Sequence, residues 1–182
     1  MGNLEKSIID HSGLAIAGHK ISCLQSFHFS DYSSFYAEYL IIKEKLLRLG
    51  VSCDILSLRR SSALFLIYNV STLKLYLSNN MISLYLEKFG YESKMSVEEK
   101  LLKLKQRMSD GKFPHEVAVF LGYPLDDIEG FMINPQNYKY AGMWKVYSNV
   151  TEKKQLFEKY KKIKEEIKNK ALLCSNIEQV FI

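Results

Sequence analysis

The sequence predicts an α+β fold: one compact domain over residues 1–182, in which a small mixed or antiparallel sheet of about four to five strands is packed with helices. Three observations carry this. Short β-branched and aromatic runs alternate with segments whose apolar residues recur every three or four positions. The length of 182 residues is that of one ordinary domain. A hydrophobic fraction of 47% with 25% charge supplies a core and excludes a disordered or collagenous chain, while only 9 Gly and 3 Pro leave little material for long loops.

The elements follow in order. Ile21 to Phe29 reads as a half-buried strand that stops at Ser30-Asp31, and either of these residues can cap the next helix. From Tyr32 to Leu49 the positions Phe35, Tyr39, Ile42, Leu46 and Leu49 make one apolar stripe, closed by Gly50. Val51 to Leu58 and Ala63 to Tyr68 are neighbouring strands of a hairpin, turned at Arg59 to Ser62. Leu73 to Phe89 has helical period with a break near Ser78-Asn79-Asn80. Ser96 and Glu99 form a capping box that opens a helix to about Met108, and Asp110-Gly111 closes it. Pro114 suits a first helical position, so Pro114 to Leu121 is a short helix ending at Gly122, and Pro124 to Phe131 a further helical turn. Trp144 to Tyr147 reads as a strand. Thr151 is placed as the cap of a long helix with the stripe Leu156, Tyr160, Ile163 and Ile167, and Ile177 to Ile182 as an edge strand.

Charge and cysteine usage narrow the function classes. The formal net charge is +5, and only four basic residues are Arg (Arg48, Arg59, Arg60, Arg107), so the bidentate fork typical of nucleic-acid binders is scarce. The lysines between Lys153 and Lys170 are interleaved with Glu158, Glu165 and Glu166, which reads as a solvated helix face; no nucleic-acid partner is expected. Cys23, Cys53 and Cys174 are dispersed and odd in number, as in a reducing compartment. The first residues lack a signal-peptide apolar region, Lys6 breaks the myristoylation pattern, and no apolar run approaches the ~20 residues of a membrane helix. A cytoplasmic protein with no membrane partner is the expectation.

Two stretches concentrate polar residues that a fold does not need. In Phe113-Pro114-His115-Glu116 the His and Glu fall in a first helical turn, where Glu116 either caps its own helix or joins His115 in general acid–base chemistry. The absence of a second His at the required spacing excludes a zincin. From His11 to Lys20, two His and a Lys surround Gly13 and Gly18 in what reads as a loop able to cradle an anion, although His19 before Lys20 breaks the P-loop pattern. Asp126 and Asp127 follow a Pro-Leu turn, with helix capping the simplest role for the first.

Beyond these residues, the stretch from Phe113-Pro114-His115-Glu116 through Phe120-Leu121-Gly122-Tyr123-Pro124-Leu125-Asp126-Asp127 to Gly130-Phe131, followed by Trp144 to Tyr147, closely resembles the hallmark of an uncharacterised bacterial family, the domain of unknown function 3793. The likeness extends to His11, Ala17-Gly18 and Lys20, to Leu66 to Tyr68 and to Gly90-Tyr91. It implies a single-domain cytosolic protein of anaerobic Gram-positive bacteria, with at most a link to iron or redox metabolism. The chain departs from the family pattern at Ser12, where a Cys is usual, and at Leu14-Ala15, Asn69 and Ile163. A thiol nucleophile or cysteine metal ligand is therefore not expected here.

Two readings of function follow. The first is a small-molecule site, binding or enzymatic, with His115, Glu116 and His11 as candidate catalytic groups and Lys20, Lys145, Tyr123 and Trp144 as candidate contacts to a small anionic ligand. The second is a non-catalytic module whose aromatics Tyr123, Tyr138, Tyr140 and Trp144 contact a protein partner. No metal is expected, because the cysteines lack ligand spacing and the core suffices without a metal staple. The sequence specifies no cofactor, reaction or oligomeric state.

Overall fold

The computed structural model describes residues 1–109 and 113–182. The main sheet has the order β1-β3-β2, antiparallel throughout, from β1 (Ser22–His28), β2 (Val51–Arg59) and β3 (Ser62–Asn69). A separate two-stranded ribbon pairs β4 (Tyr140–Ala141) with β5 (Lys145–Val146). The chain is α+β as expected, with its five described strands divided between these two sheets.

Alternation along β2 and β3 sends side chains to two helical layers. Phe65 and Ile67 of β3, with Val51 and Cys53 of β2, pack with α1 (Asn3–Ile16), α2 (Tyr32–Arg48) and α9 (Ile177–Phe181). Leu66 and Tyr68 face the opposite way, into a core shared with α3 (Val70–Leu77), α4 (Asn80–Glu87), α5 (Val97–Ser109), α6 (Val117–Phe120) and α7 (Leu125–Ile133). A bulge between Ile55 and Ser57 inserts Leu56, only 2% exposed, into that second core. The long α8 (Val150–Leu172) lies along α1. No helix among the described residues is long and apolar enough to cross a membrane.

Several local signals hold. Asp31 caps α2 by accepting from Ser34 N at 2.7 Å. Asn79 breaks the α3–α4 segment where expected, accepting from Met81 N at 3.0 Å. Ser96 and Glu99 make both bonds of the capping box, 2.7 and 3.1 Å. The closing turn at Asp110-Gly111 lies outside the described residues.

Other expectations are corrected. His11 to Ile16 is the end of helix α1, not a loop; the apolar positions Leu4, Ile8, Ile9, Ala15 and Ile16 have helical spacing, and Gly13 sits mid-helix because Ile167 approaches to 3.1 Å of where a Cβ would stand. Only Ala17 to Ile21 remains to connect α1 with β1. Ile177–Phe181 is a helix rather than an edge strand, because Asn176 accepts from Gln179 N at 3.1 Å and starts a turn that buries Ile177 and Val180 together. The long helix starts at Val150, after Asn149 in left-handed backbone with φ 47°, so Thr151 lies inside its first turn rather than capping it.

The α6–α7 connection hinges on Gly122. Its φ of +71° is left-handed, and a Cβ there would stand 2.5 Å from Ile21 Cγ1. Gly122→Ala is expected to cost about 2 kcal/mol, combining the left-handed penalty with the overpacking of Ile21. A urea midpoint shift without a change in slope would report it, and a loss below ~0.5 kcal/mol would contradict this role.

Candidate functional site

The turn before α6, helix α7 and the β4–β5 ribbon enclose a cleft of about 520 Å³. That volume lies in the range of ligand sites, ~300–1,000 Å³. One wall is a stack of Tyr123 on Trp144, ring centroids 4.9 Å apart and planes 25° apart. Phe157 of α8 meets the indole edge-on at 4.5 Å and 86°. Ile128, Phe131 and Met132 of α7 continue the apolar lining, and Met143 joins from the ribbon. His115 stands exposed at the cleft, its ring 6.0 Å from that of Phe131, with no hydrogen bond from its nitrogens among the described residues. Lys145 donates to Pro135 O at 2.8 Å and lies over the Tyr138 ring at 4.9 Å. An ammonium carries three donors, so Lys145 keeps capacity for an anion.

A buried ionic node holds this wall in place. Asp127, 3% exposed, accepts from Trp144 Nε1 at 2.8 Å through Oδ2, and from Tyr147 N at 2.7 Å through Oδ1. Lys153 from the first turn of α8 pairs with Asp127 and Asp126, each at 2.8 Å. Burial pushes the Asp126 carboxyl up, but the Lys153 ammonium and the Ser148 hydroxyl outweigh it and hold the group below its ordinary value. Rather than capping α7, which follows Pro124, the two aspartates tie α7 to the ribbon and to α8.

The cleft thus brings together His115, Tyr123, Trp144 and Lys145 of the sequence-predicted candidates. Lys20 lies instead over the Tyr123 ring at 5.1 Å, and burial lowers its pKa from the ordinary lysine value. Glu116, 1% exposed, is not part of the cleft lining: it accepts from Tyr91 Oη at 3.2 Å and pairs with Arg107. His11 is exposed on α1, its Nδ1 2.9 Å from Ser7 O, and takes no part in the cleft. Ser12 is fully buried and donates to Gln25 Oε1 at 2.9 Å, so it serves α1–β1 packing. Among the described residues no three His, Cys, Asp or Glu side chains are grouped to hold a metal ion. The three cysteines are unpaired, and burial pushes the Cys53 thiol up to about 12.

Sequence reasoning missed Phe131, Met132 and Met143, and it gave Lys153 to a solvated face. The signal for the first two was available: α7 has four apolar residues in its last six, Ile128, Phe131, Met132 and Ile133, more than one buried face requires. Ile133 is accordingly 85% exposed.

No curated protein and no solved structure matches the chain significantly. One family model does, and it spans residues 8–181, from the middle of α1 to the end of α9, with the cleft, the aspartate node and both sheets inside it. The chain belongs to the family described as protein of unknown function DUF3793.

Proposed function

We propose that the cleft binds a small organic anion, with a flat apolar body against the Tyr123–Trp144 wall and an acidic group toward His115 and Lys145. The observation that carries this is the lining itself: an apolar, aromatic concavity with two cationic or cationisable side chains and one carboxylate. That carboxylate, Asp127, is consumed internally, with both oxygens occupied. Binding is favoured over proton transfer, because the lining's carboxylate, Asp127, has both oxygens already bonded and is not free to act as a base beside His115. The unpaired cysteines support a reducing, cytoplasmic setting.

A second reading, a docking site for a protein partner, draws on the apolar surface around the mouth: Phe113 is 59%, Met132 44% and Tyr138 40% exposed.

Trp144 is the chain's single tryptophan, so its fluorescence reports the cleft directly. Titration with a panel of aromatic carboxylates is expected to give saturable quenching. Lys145→Met and His115→Ala are each expected to weaken the best ligand about tenfold while leaving the thermal midpoint within ~2 °C. Absence of saturable quenching across the panel, or unchanged affinity in both variants, would exclude the small-anion reading and leave the docking surface.

A further inference from the structure

A second, smaller pocket of about 150 Å³ shares Trp144 with the cleft. Three segments distant in sequence meet there. The turn after α1 brings His19 and Lys20, where Gly18 takes a left-handed φ of 74° and the His19 and Lys20 amides both return to Leu14 O at 2.8 and 3.1 Å. Helix α3 brings Thr72 from its first turn, and α8 brings Tyr160.

The polar chemistry of this pocket has one sign. Lys20 offers an ammonium, Thr72 and Tyr160 offer hydroxyls, and His19 an imidazole N–H, while no Asp or Glu among the described residues lines the pocket. Trp144 Nε1 is already committed to Asp127. Among the described residues, none of the other four side chains has a hydrogen bond or ion pair; Lys20 lies over the face of Tyr123 and within electrostatic reach of Cys23 and Lys164. A half-buried ammonium with no carboxylate beside it is costly, and Lys45 and Lys153 sit on carboxylates at 2.9 and 2.8 Å. Lys20, like the buried Lys100, makes no ion pair among the described residues, and the polar side chains around Lys20 can all donate.

We propose that this pocket is a binding site for a small oxyanion of the phosphate class. A tetrahedral oxyanion presents acceptors in several directions and complements a ring of donors from three segments. The pocket is smaller than the ~300 Å³ at which organic-ligand sites begin, so the group that enters is the anion rather than an organic body. The site is independent of the cleft reading, since neither Lys20 nor Tyr160 lines the cleft.

The probes are inorganic phosphate and a phosphomonoester, glycerol phosphate, each compared with chloride at equal ionic strength. At tenfold excess over Kd, either bound anion is expected to raise the thermal midpoint by about 3–6 °C and to alter Trp144 emission. Equal responses assign the free anion as sufficient, and a response to the ester alone assigns an esterified phosphate. Lys20→Met is expected to lower affinity at least tenfold and Tyr160→Phe about three- to tenfold. In chloride, Lys20→Met is expected to melt no earlier than the parent, because it removes an uncompensated charge, which separates lost binding from lost folding. Quenching by aromatic carboxylates is expected to persist in Lys20→Met, so failure of one site does not imply failure of the other. No stabilisation by either anion beyond chloride, or undiminished affinity in Lys20→Met, would overturn the proposal.

Discussion

Replacing Asp127 by alanine is expected to lower stability by about 3–4 kcal/mol. The Asp127 side chain is 2% and that of Lys153 8% exposed, so the variant strands a buried ammonium, and breaking such a pair costs ~3–5 kcal/mol. Asp126 remains as a second counter-ion at 2.8 Å, which places the expected value at the lower end. The Tyr147 amide and Trp144 Nε1 lose their acceptor as well, and the indole is expected to show red-shifted emission. Asp126→Asn is the control: that carboxylate is 42% exposed, and its loss is expected to cost no more than about 1 kcal/mol. A urea midpoint for Asp127→Ala within ~1 kcal/mol of the parent would remove the node from the account. The acid limb adds a check of sign. The folded Asp126 carboxyl is held below its ordinary value of 3.8, so its contribution is fully present above that value and is lost as pH falls through the lowered one. Between neutral pH and about 5 this group leaves stability flat, and the decline below about 4 is expected to be shallower in Asp126→Asn.

How much of this was legible in the sequence depends on where each interaction is decided. Elements defined by local chemistry were readable: Asp31, Asn79 and the Ser96–Glu99 box each satisfy backbone donors within three residues of themselves. Helix α1 was not read, because its polar residues Asp10, His11 and Ser12 and its Gly13 interrupt the local pattern, and the groups that explain two of them, Gln25 and Ile167, lie elsewhere in the chain. The end at Ile177–Ile182 was misread for a related reason, since a run of six residues has too few positions to separate a period of two from one of 3.6. At the site, the aromatic and cationic types that bind small anions were visible as types, and His115, Tyr123, Trp144 and Lys145 do meet. What could not be seen is which way neighbouring residues turn: adjacent His115 and Glu116 part company, while adjacent Asp126 and Asp127 converge on one ammonium. Those outcomes are set by Arg107, Tyr91 and Lys153, contributed by α5, the α4–α5 connection and α8.

Glu116 gives the sharpest separation between a catalytic and a structural role. As a general acid or base it would be needed for the site's chemistry and dispensable for folding. The structure predicts the reverse. The carboxylate is 1% exposed, it pairs with Arg107, and it receives the hydroxyl of Tyr91, a ring with no exposure that packs on Phe120 at 5.6 Å. Burial and the neighbouring carboxylate push the Tyr91 phenol well above its ordinary range, so it stays a neutral donor to this oxygen at every physiological pH. Glu116→Ala is therefore expected to cost about 3 kcal/mol, through an unpaired buried phenol, the lost pair with Arg107 and the cavity left by the carboxylate. Glu116→Gln keeps the shape and an acceptor oxygen, and the Arg107 side chain, 40% exposed, keeps its access to water; about 1 kcal/mol is expected. In both variants, affinity for the best aromatic carboxylate is expected to change less than threefold under conditions where the protein is folded. His115→Ala, one residue away, is expected to do the opposite, with binding reduced about tenfold and the urea midpoint unmoved. Loss of binding in a fully folded Glu116→Gln protein would return the carboxylate to the functional site and with it a proton-transfer role beside His115.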